Sequence, residues 1–270
     1  MSVINTNVSA LSAQNALRTN ARSMSTNMEQ LSTGSRINSA KDDAAGLAIG
    51  QNMTAQVRGL NMAVRNINDG VNMMQTAEGA MIEQSNMLQR MRELAVQSAN
   101  GTVSDTQRSY LNTEFQALVT QIGSIASQTT WNGTDLMKED TTFSFQAGAS
   151  SGQTISVAIT AMSTSSLGIS SSSISSSSTA ASAIDTLDTA LNSINSQRST
   201  IGAGINQMTY AADNMSNIAA NVTASRSTIM DTDYATASTN LAKNQIIQQA
   251  ATAMLAQANQ QPQSVLSLLK

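Results

Sequence analysis

Three pairs of carboxylates are the first places in this 270-residue chain where chemistry could reside. Asp42-Asp43, Glu139-Asp140 and Asp231 with Asp233 each have the oxygens to hold Mg²⁺ or to share a catalytic proton. Neighbouring residues of a helix point about 100° apart, however, and the first pair stands where a helix N-terminus favours negative charge. Capping is the expected role. Arg90 and Arg92 come next, within Leu88-Gln-Arg-Met-Arg-Glu-Leu94. They sit on a mixed-charge helix face without interleaved aromatics, so they make no nucleic-acid patch. Taken alone they form a solvated face, with Arg90 near Glu93 or Leu94.

The missing residue types close most other routes. Without Cys or His there is no thiol nucleophile, disulfide, zinc site or imidazole base. The many Ser residues lack the His that a Ser-His-Asp triad requires. No phosphate-binding or nucleophile-elbow glycine motif appears. We expect no catalytic, cofactor or metal site, and no enzyme. A net charge of −3 gives no field to steer the chain to nucleic acid or an anionic membrane. No apolar run reaches the roughly 18 residues of a membrane span, so no membrane insertion is expected. The start, MSVINTNVSALSAQ, lacks the basic and then apolar segments of a secretory signal peptide.

The elements that would position these residues are long helices. Only 3% of the chain is aromatic against 40% hydrophobic, so any core is thin and built by close backbone approach. From Ile184 the apolar residues run Leu187, Leu191, Ile194, Ile201, Ile205, Met208, Ala212, Met215, Ala219 and Val222, broken at Arg198. A sustained 3-4 step marks a coiled-coil seam. Ser182 with Asp185 signals its start. Val57, Leu60, Val64, Ile67, Val71 and Met74 repeat the pattern in a helix expected over 42–99, opened by Ser39 with Asp42 and stopped at Asn100-Gly101. A third helix is expected from Ser104, capped with Gln107. Phe143, Phe145, Ile155, Val157 and Ile159 alternate with polar residues, predicting a β-hairpin over 141–160. Between 163 and 182, twelve of twenty residues are Ser, which reads as a flexible link or loop. The expected fold class is mainly α: an elongated antiparallel coiled-coil-like helical bundle with a small β-hairpin region.

Both chain ends carry sparsely charged apolar helices. Ile4, Val8 and Leu11 form one stripe, and Leu17, Ala21, Met24, Met28 and Leu31 a second after a phase slip. The tail offers Leu241, Ile246, Ile247, Met254 and Leu255. One reading pairs the two helices within a monomer. The other buries them against further subunits, because exposed apolar stripes of this length mark interaction surfaces.

Three segments closely resemble bacterial flagellins. They are Ile4-Asn-Thr-Asn-Val-Ser-Ala-Leu-Ser-Ala-Gln14 with Leu31-Ser-Thr-Gly-Ser-Arg-Ile-Asn-Ser-Ala-Lys-Asp-Asp-Ala-Ala-Gly-Leu-Ala-Ile49, then Gln89-Arg-Met-Arg-Glu-Leu-Ala-Val-Gln-Ser-Ala-Asn-Gly101, and Ala258-Asn-Gln-Gln-Pro-Gln-Ser-Val-Leu-Ser-Leu-Leu269. The resemblance covers roughly 1–160 and 184–270. It implies a short form without the variable outer domains, with terminal helices pairing in an inner core. The implied divisions are an N-terminal inner-core helix at 1–40, outer-core helices and hairpin at 41–160, and a Ser-rich linker at 161–183. A C-terminal outer-core helix at 184–230 and a C-terminal inner-core helix at 231–270 complete the chain.

By the same resemblance the protein is a structural subunit of the motility filament, exported unsigned through the flagellar type III apparatus and extracellular once assembled. Its implied partners are copies of itself, an export chaperone on the C-terminal segment, the filament cap, hook-junction proteins and Toll-like receptor 5. The polymerisation face is expected at Ile4, Val8, Leu11, Leu17, Met24, Leu31, Leu241, Ile247, Met254, Leu255, Val265 and Leu266. The receptor patch maps by resemblance onto Arg90, Leu94 and Glu114. Two rival readings are a hook–filament junction protein, which shares the terminal helices, and a cytoplasmic signalling coiled coil, which would carry many more charges.

Overall fold

The computed structural model describes the backbone of residues 6–267 and the side chains of 6–260. Five helices carry the described chain: α1 (Val8–Thr33), α2 (Ala44–Ala99), α3 (Asp105–Gln128), α4 (Ser177–Met230) and α5 (Tyr234–Ser267). Four short strands lie between α3 and α4: β1 (Thr130–Trp131), β2 (Thr134–Asp135), β3 (Thr141–Gln146) and β4 (Thr154–Ile159). The expected mainly helical fold with a hairpin is therefore present. Packing divides the chain into two compact units. One joins residues up to Val57 with those from Ala220 onward, and the other comprises Arg58–Ala219.

The Arg58–Ala219 unit holds the large core. Along α2 the buried positions Leu60, Ala63, Ile67, Gly70, Met74, Ala77, Met81, Gln84, Leu88, Met91, Ala95 and Ser98 keep an unbroken 3-4 step, with Met73, Ser85 and Leu94 buried beside it. Along α4 they are Ala180, Ala183, Leu187, Ala190, Ile194, Gln197, Ile201, Gly204 and Met208. Each seam therefore pairs a track of large side chains with a track dominated by small ones. The small track is where other elements come close. A Cβ on Gly70 would sit 2.8 Å from the Phe145 ring, and one on Gly204 the same distance from Val157. Both contacts belong to the hairpin, whose register sets Phe143 opposite Val157 and Phe145 opposite Ile155. Val64, Val71, Leu191 and Ile205 only flank the seams, half-buried. Arg198, which interrupts the flanking track, lies 3.7 Å from Glu78 on α2.

Local signals fix the element ends. Ser104 and Gln107 form a reciprocal capping box for α3. Asn132 and Gly133, both at positive φ, make the tight turn that joins β1 to β2. Two expected starts move. Ser39 and Asp42 close a turn just before α2, and the α2 cap is Asp43, whose Oδ1 accepts from the Gly46 N–H at 2.9 Å. Helix α4 begins at Ser177, not near 184. Ser176 Oγ accepts from the Thr179 N–H, and Ser182 lies inside the helix with its hydroxyl donating to the Ser178 carbonyl. The helix extends back because Ala180 and Ala183 continue the buried track.

The Ser-rich stretch departs most from expectation. It is a loop up to Ser176, but a packed one. Leu167, Ile169 and Ile174 are buried. Side chains of α3 and α2 hold its backbone: Gln116 donates to the Ser172 carbonyl, Asn112 accepts the Ile174 N–H, and Ser98 donates to the Ile174 carbonyl at 2.6 Å. Three apolar residues among the serines are enough to anchor it, since each fully buried Ile or Leu contributes about 1.5–3 kcal/mol.

Candidate assembly interface

In the terminal unit, α1 packs on α5. Asn7 opens α1 by accepting the Ala10 N–H and also donates across to the Ala258 carbonyl at 2.7 Å. Further along, Asn20 donates to the Asn244 carbonyl at 2.8 Å, and the Tyr234 hydroxyl donates to the Leu31 carbonyl. The helices are thus antiparallel. The less exposed residues of α1 include Ala10, Ala13, Leu17, Asn20, Met24, Asn27 and Leu31, with Thr26 and Gln30 beside them, and those of α5 are Ala237, Leu241, Asn244, Gln248, Ala251, Leu255 and Ala258. Both series keep a 3-4 step, so each helix offers its partner one coiled-coil seam.

This seam separates the candidate polymerisation residues into two groups. Leu17, Met24, Leu31, Leu241 and Leu255 are half-buried on it. Val8, Leu11, Ile247 and Met254 point away and stay exposed, as do Met28 and Ile246. Ile4 lies outside the described residues, and Val265 and Leu266 lie beyond those whose side chains are described. Asn20 and Asn244, inside the seam, escape a sequence reading that follows apolar residues; the polar breaks in the 3-4 step are their only signal.

The connectors of this unit lock together. Gly34 ends α1 in the left-handed region, at φ 72°, where a side chain would be strained. Its carbonyl accepts the Thr232 N–H at 2.9 Å, while the Arg36 N–H donates to the Met230 carbonyl. The Arg36 guanidinium adds two bonds to the Ile229 carbonyl. Asp233 caps α5, accepting from the Ala235 and Thr236 N–H groups and the Thr236 hydroxyl. The Thr236 hydroxyl, together with the backbone donors, holds the Asp233 carboxyl below its ordinary value.

The paired carboxylates are absorbed in the same manner. Asp42 accepts from the Ser39 hydroxyl, chiefly, and from the Ser39 and Asn38 N–H groups, which lowers its pKa. Asp140 accepts the Ala161 N–H, and Asp231 accepts the Ser227 hydroxyl. Among the described residues no cluster of three or more acidic side chains could hold a metal ion. No described helix is long and apolar enough to cross a membrane.

Of the receptor candidates, Arg90 and Glu114 share a surface. The Arg90 guanidinium lies 3.0 Å from both Glu93 and Glu114, and all three are exposed. Those bonds, with Glu93 first, raise the Arg90 pKa. Leu94 does not belong to this surface. It is 1% exposed, buried beside Met91 and Ala95, so its side chain cannot form part of an exposed patch with Arg90 and Glu114. Arg92, on the next face, pairs with Asp188 of α4 at 2.6 Å and lowers that carboxyl.

Three described helices before a packed hairpin, two after it and a paired terminal unit define a helical building block. Residues 4–142 match the bacterial flagellin N-terminal helical region, and 184–269 match the flagellin C-terminal helical region. A flagellin of Halalkalibacterium halodurans is 43% identical over 99% of this chain and all of its own length. The flagellar filament 33 kDa core protein of Treponema phagedenis is 41% identical, again over 99% of this chain and all of its own. A solved structure of a flagellar hook-associated protein from Vibrio parahaemolyticus shares the fold at TM-score 0.58, with 15% identity over 70% of this chain and 99% of that one. The chain belongs to the bacterial flagellin family, whose members are structural subunits of the flagellar filament.

Proposed function

We propose that this chain builds the extracellular flagellar filament by burying the outward tracks of α1 and α5 against neighbouring copies of itself. The observation that carries this reading is the two-sidedness of the terminal pair. Among its described residues only Asn20 and Ala237 are buried. Its half-buried Leu and Met residues contribute roughly 1 kcal/mol each, against about 1–2 kcal/mol of backbone entropy for every residue ordered. The pair is therefore marginal alone and gains its stability when Val8, Leu11, Met28, Ile246, Ile247 and Met254 are covered. On this reading residues 1–40 and 231–270 form an inner core, and 41–160 with 184–230 an outer core.

Mixing purified subunits with filament fragments tests it. Leu11→Asp and Ile247→Asp, on the outward track, abolish elongation while leaving helical content in the free subunit unchanged. Wild-type elongation by both variants would overturn the assignment.

Family membership supports, as part of the same proposal, a route and further partners. The subunit leaves the cell through the flagellar type III apparatus, with an export chaperone on the C-terminal segment, and joins the filament beneath the cap and beyond the hook-junction proteins. The exposed Arg90–Glu114 pair supports recognition of the free subunit by Toll-like receptor 5. Arg90→Ala removes the response of reporter cells. Because an exposed ion pair adds little to stability, that variant stays folded and the readout is recognition alone. A full response from Arg90→Ala sinks the receptor reading.

A further inference from the structure

Methionine is the only sulfur in this chain, at sixteen positions and with no Cys to react first. Of the fifteen whose side chains are described, most are buried or half-buried. Met73, Met74, Met81, Met91, Met137, Met162 and Met208 are at most 5% exposed. Only Met28 at 57%, Met62 at 47% and Met254 at 67% are open. Met62 belongs to the Arg58–Ala219 unit, and its sulfur touches the Arg65 guanidinium. The other two stand on the outward tracks, Met28 on α1 and Met254 on α5.

We infer that Met28 and Met254 form an oxidant-sensitive control on assembly. Hydrogen peroxide modifies these two thioethers in the free subunit, and the resulting sulfoxides keep it out of the filament. The inference rests on the proposed role of the outward tracks. In the reaction, a sulfur lone pair attacks one peroxide oxygen, the O–O bond breaks and an S–O bond forms. The departing hydroxide takes up the proton that the sulfur-bound oxygen sheds, leaving water and a neutral sulfoxide. The thioether loses two electrons, and the peroxide is reduced.

The product changes the surface where it matters. A flexible apolar side chain becomes a polar one with a strong acceptor oxygen. Burying that oxygen against another subunit without a donor is unfavourable, and the other exposed members of the outward tracks, Val8, Leu11, Ile246 and Ile247, are apolar. The core methionines are shielded by packing, so the subunit keeps its fold while its assembly face is altered. Once a neighbour covers the tracks, the same two sulfurs are shielded as well. Oxidation then acts on subunits in transit and spares the built filament.

The test treats full-length subunits and assembled filaments with hydrogen peroxide and maps sulfoxides by peptide mass spectrometry. Subunits acquire oxygen at Met28 and Met254 well before the seven core methionines. In filaments both sites are protected. Treated subunits elongate filament fragments at least about tenfold more slowly, the size expected from burying one unpaired polar group. A methionine sulfoxide reductase with dithiothreitol restores the rate. The Met28→Leu/Met254→Leu subunit, a volume-conserving change, elongates equally before and after peroxide.

Three results overturn the inference: core methionines that oxidise as fast as these two, oxidised wild-type subunits that elongate normally, or a double variant that loses elongation as wild type does. Equal oxidation of Met28 and Met254 in filaments and subunits instead removes the assembly-face reading beneath it.

Discussion

Gly202 and Gly204 stand two residues apart on α4 and should respond to Ala in opposite directions. Nothing lies within 4 Å of a Cβ at Gly202, so Gly202→Ala gains only helix propensity, about 1 kcal/mol. A Cβ at Gly204 meets the branched Val157 side chain at 2.8 Å, and Val157 is stiff and buried. Gly204→Ala therefore loses more than it gains, by roughly 1–3 kcal/mol of overpacking. Thermal unfolding of the two variants beside wild type checks the contrast, and a stabilised Gly204→Ala contradicts the packing described. A reading of apolar residues finds Leu187, Ile194, Ile201 and Met208 but passes over Ala183, Ala190, Gln197 and Gly204, the other half of the same seam. Small residues carry no hydrophobic signal, although they are what lets the hairpin approach. Leu94 illustrates the converse: a family motif names the residue but does not say which way it faces.

At the scale of elements, caps and seams explain how far each helix runs. Asp42, Asp188 and Asp233 all have their pKa lowered in the folded chain, by Ser39, Arg92 and Thr236 in turn. A carboxyl depressed by folding contributes stability that is present above its unfolded pKa and lost as pH falls through the lower folded value. The loss is therefore confined to pH below about 4. The free subunit should keep its melting temperature from neutrality to that point and decline below it. Asp233→Ala should weaken α5 at neutral pH through the lost N-cap and flatten part of that acid limb. Melting measured by circular dichroism from pH 2.5 to 7 reads both.

The hairpin, the α3 capping box and the three long helices are legible in the sequence because each has a strong local period or cap. The order of the Ser-rich segment is not, since composition averages away Leu167, Ile169 and Ile174. Ile174→Ser tests that order: losing a fully buried side chain beneath Ser98 and Asn112 should cost about 2–4 kcal/mol. Unchanged melting would mean the loop is not anchored there.

Taken as a whole, the molecule has one well-filled unit and one thin one. Phe115, Ile67, Met74, Met81, Leu88, Met91, Leu94 and Ile122 are all fully buried in the Arg58–Ala219 unit, whereas the α1–α5 pair is held mainly by half-buried side chains and asparagine bonds. Removing residues 1–30 or 240–270 should leave a cooperative melting transition from the larger unit and abolish filament elongation. Retained elongation after either truncation contradicts the role given to the terminal helices.

The bond from Asn7 to the Ala258 carbonyl closes a loop of 251 residues. On the ribosome, at about 5–20 residues per second, the start of α1 therefore waits roughly 10–50 s for its partner to be made. Every nascent chain still short of that carbonyl lacks this partner altogether. A translation product cut short before Ala258 cannot form this contact, and one cut before Asn244 loses the Asn20 bond as well, so the pairing of α1 with α5 tightens stepwise as synthesis proceeds.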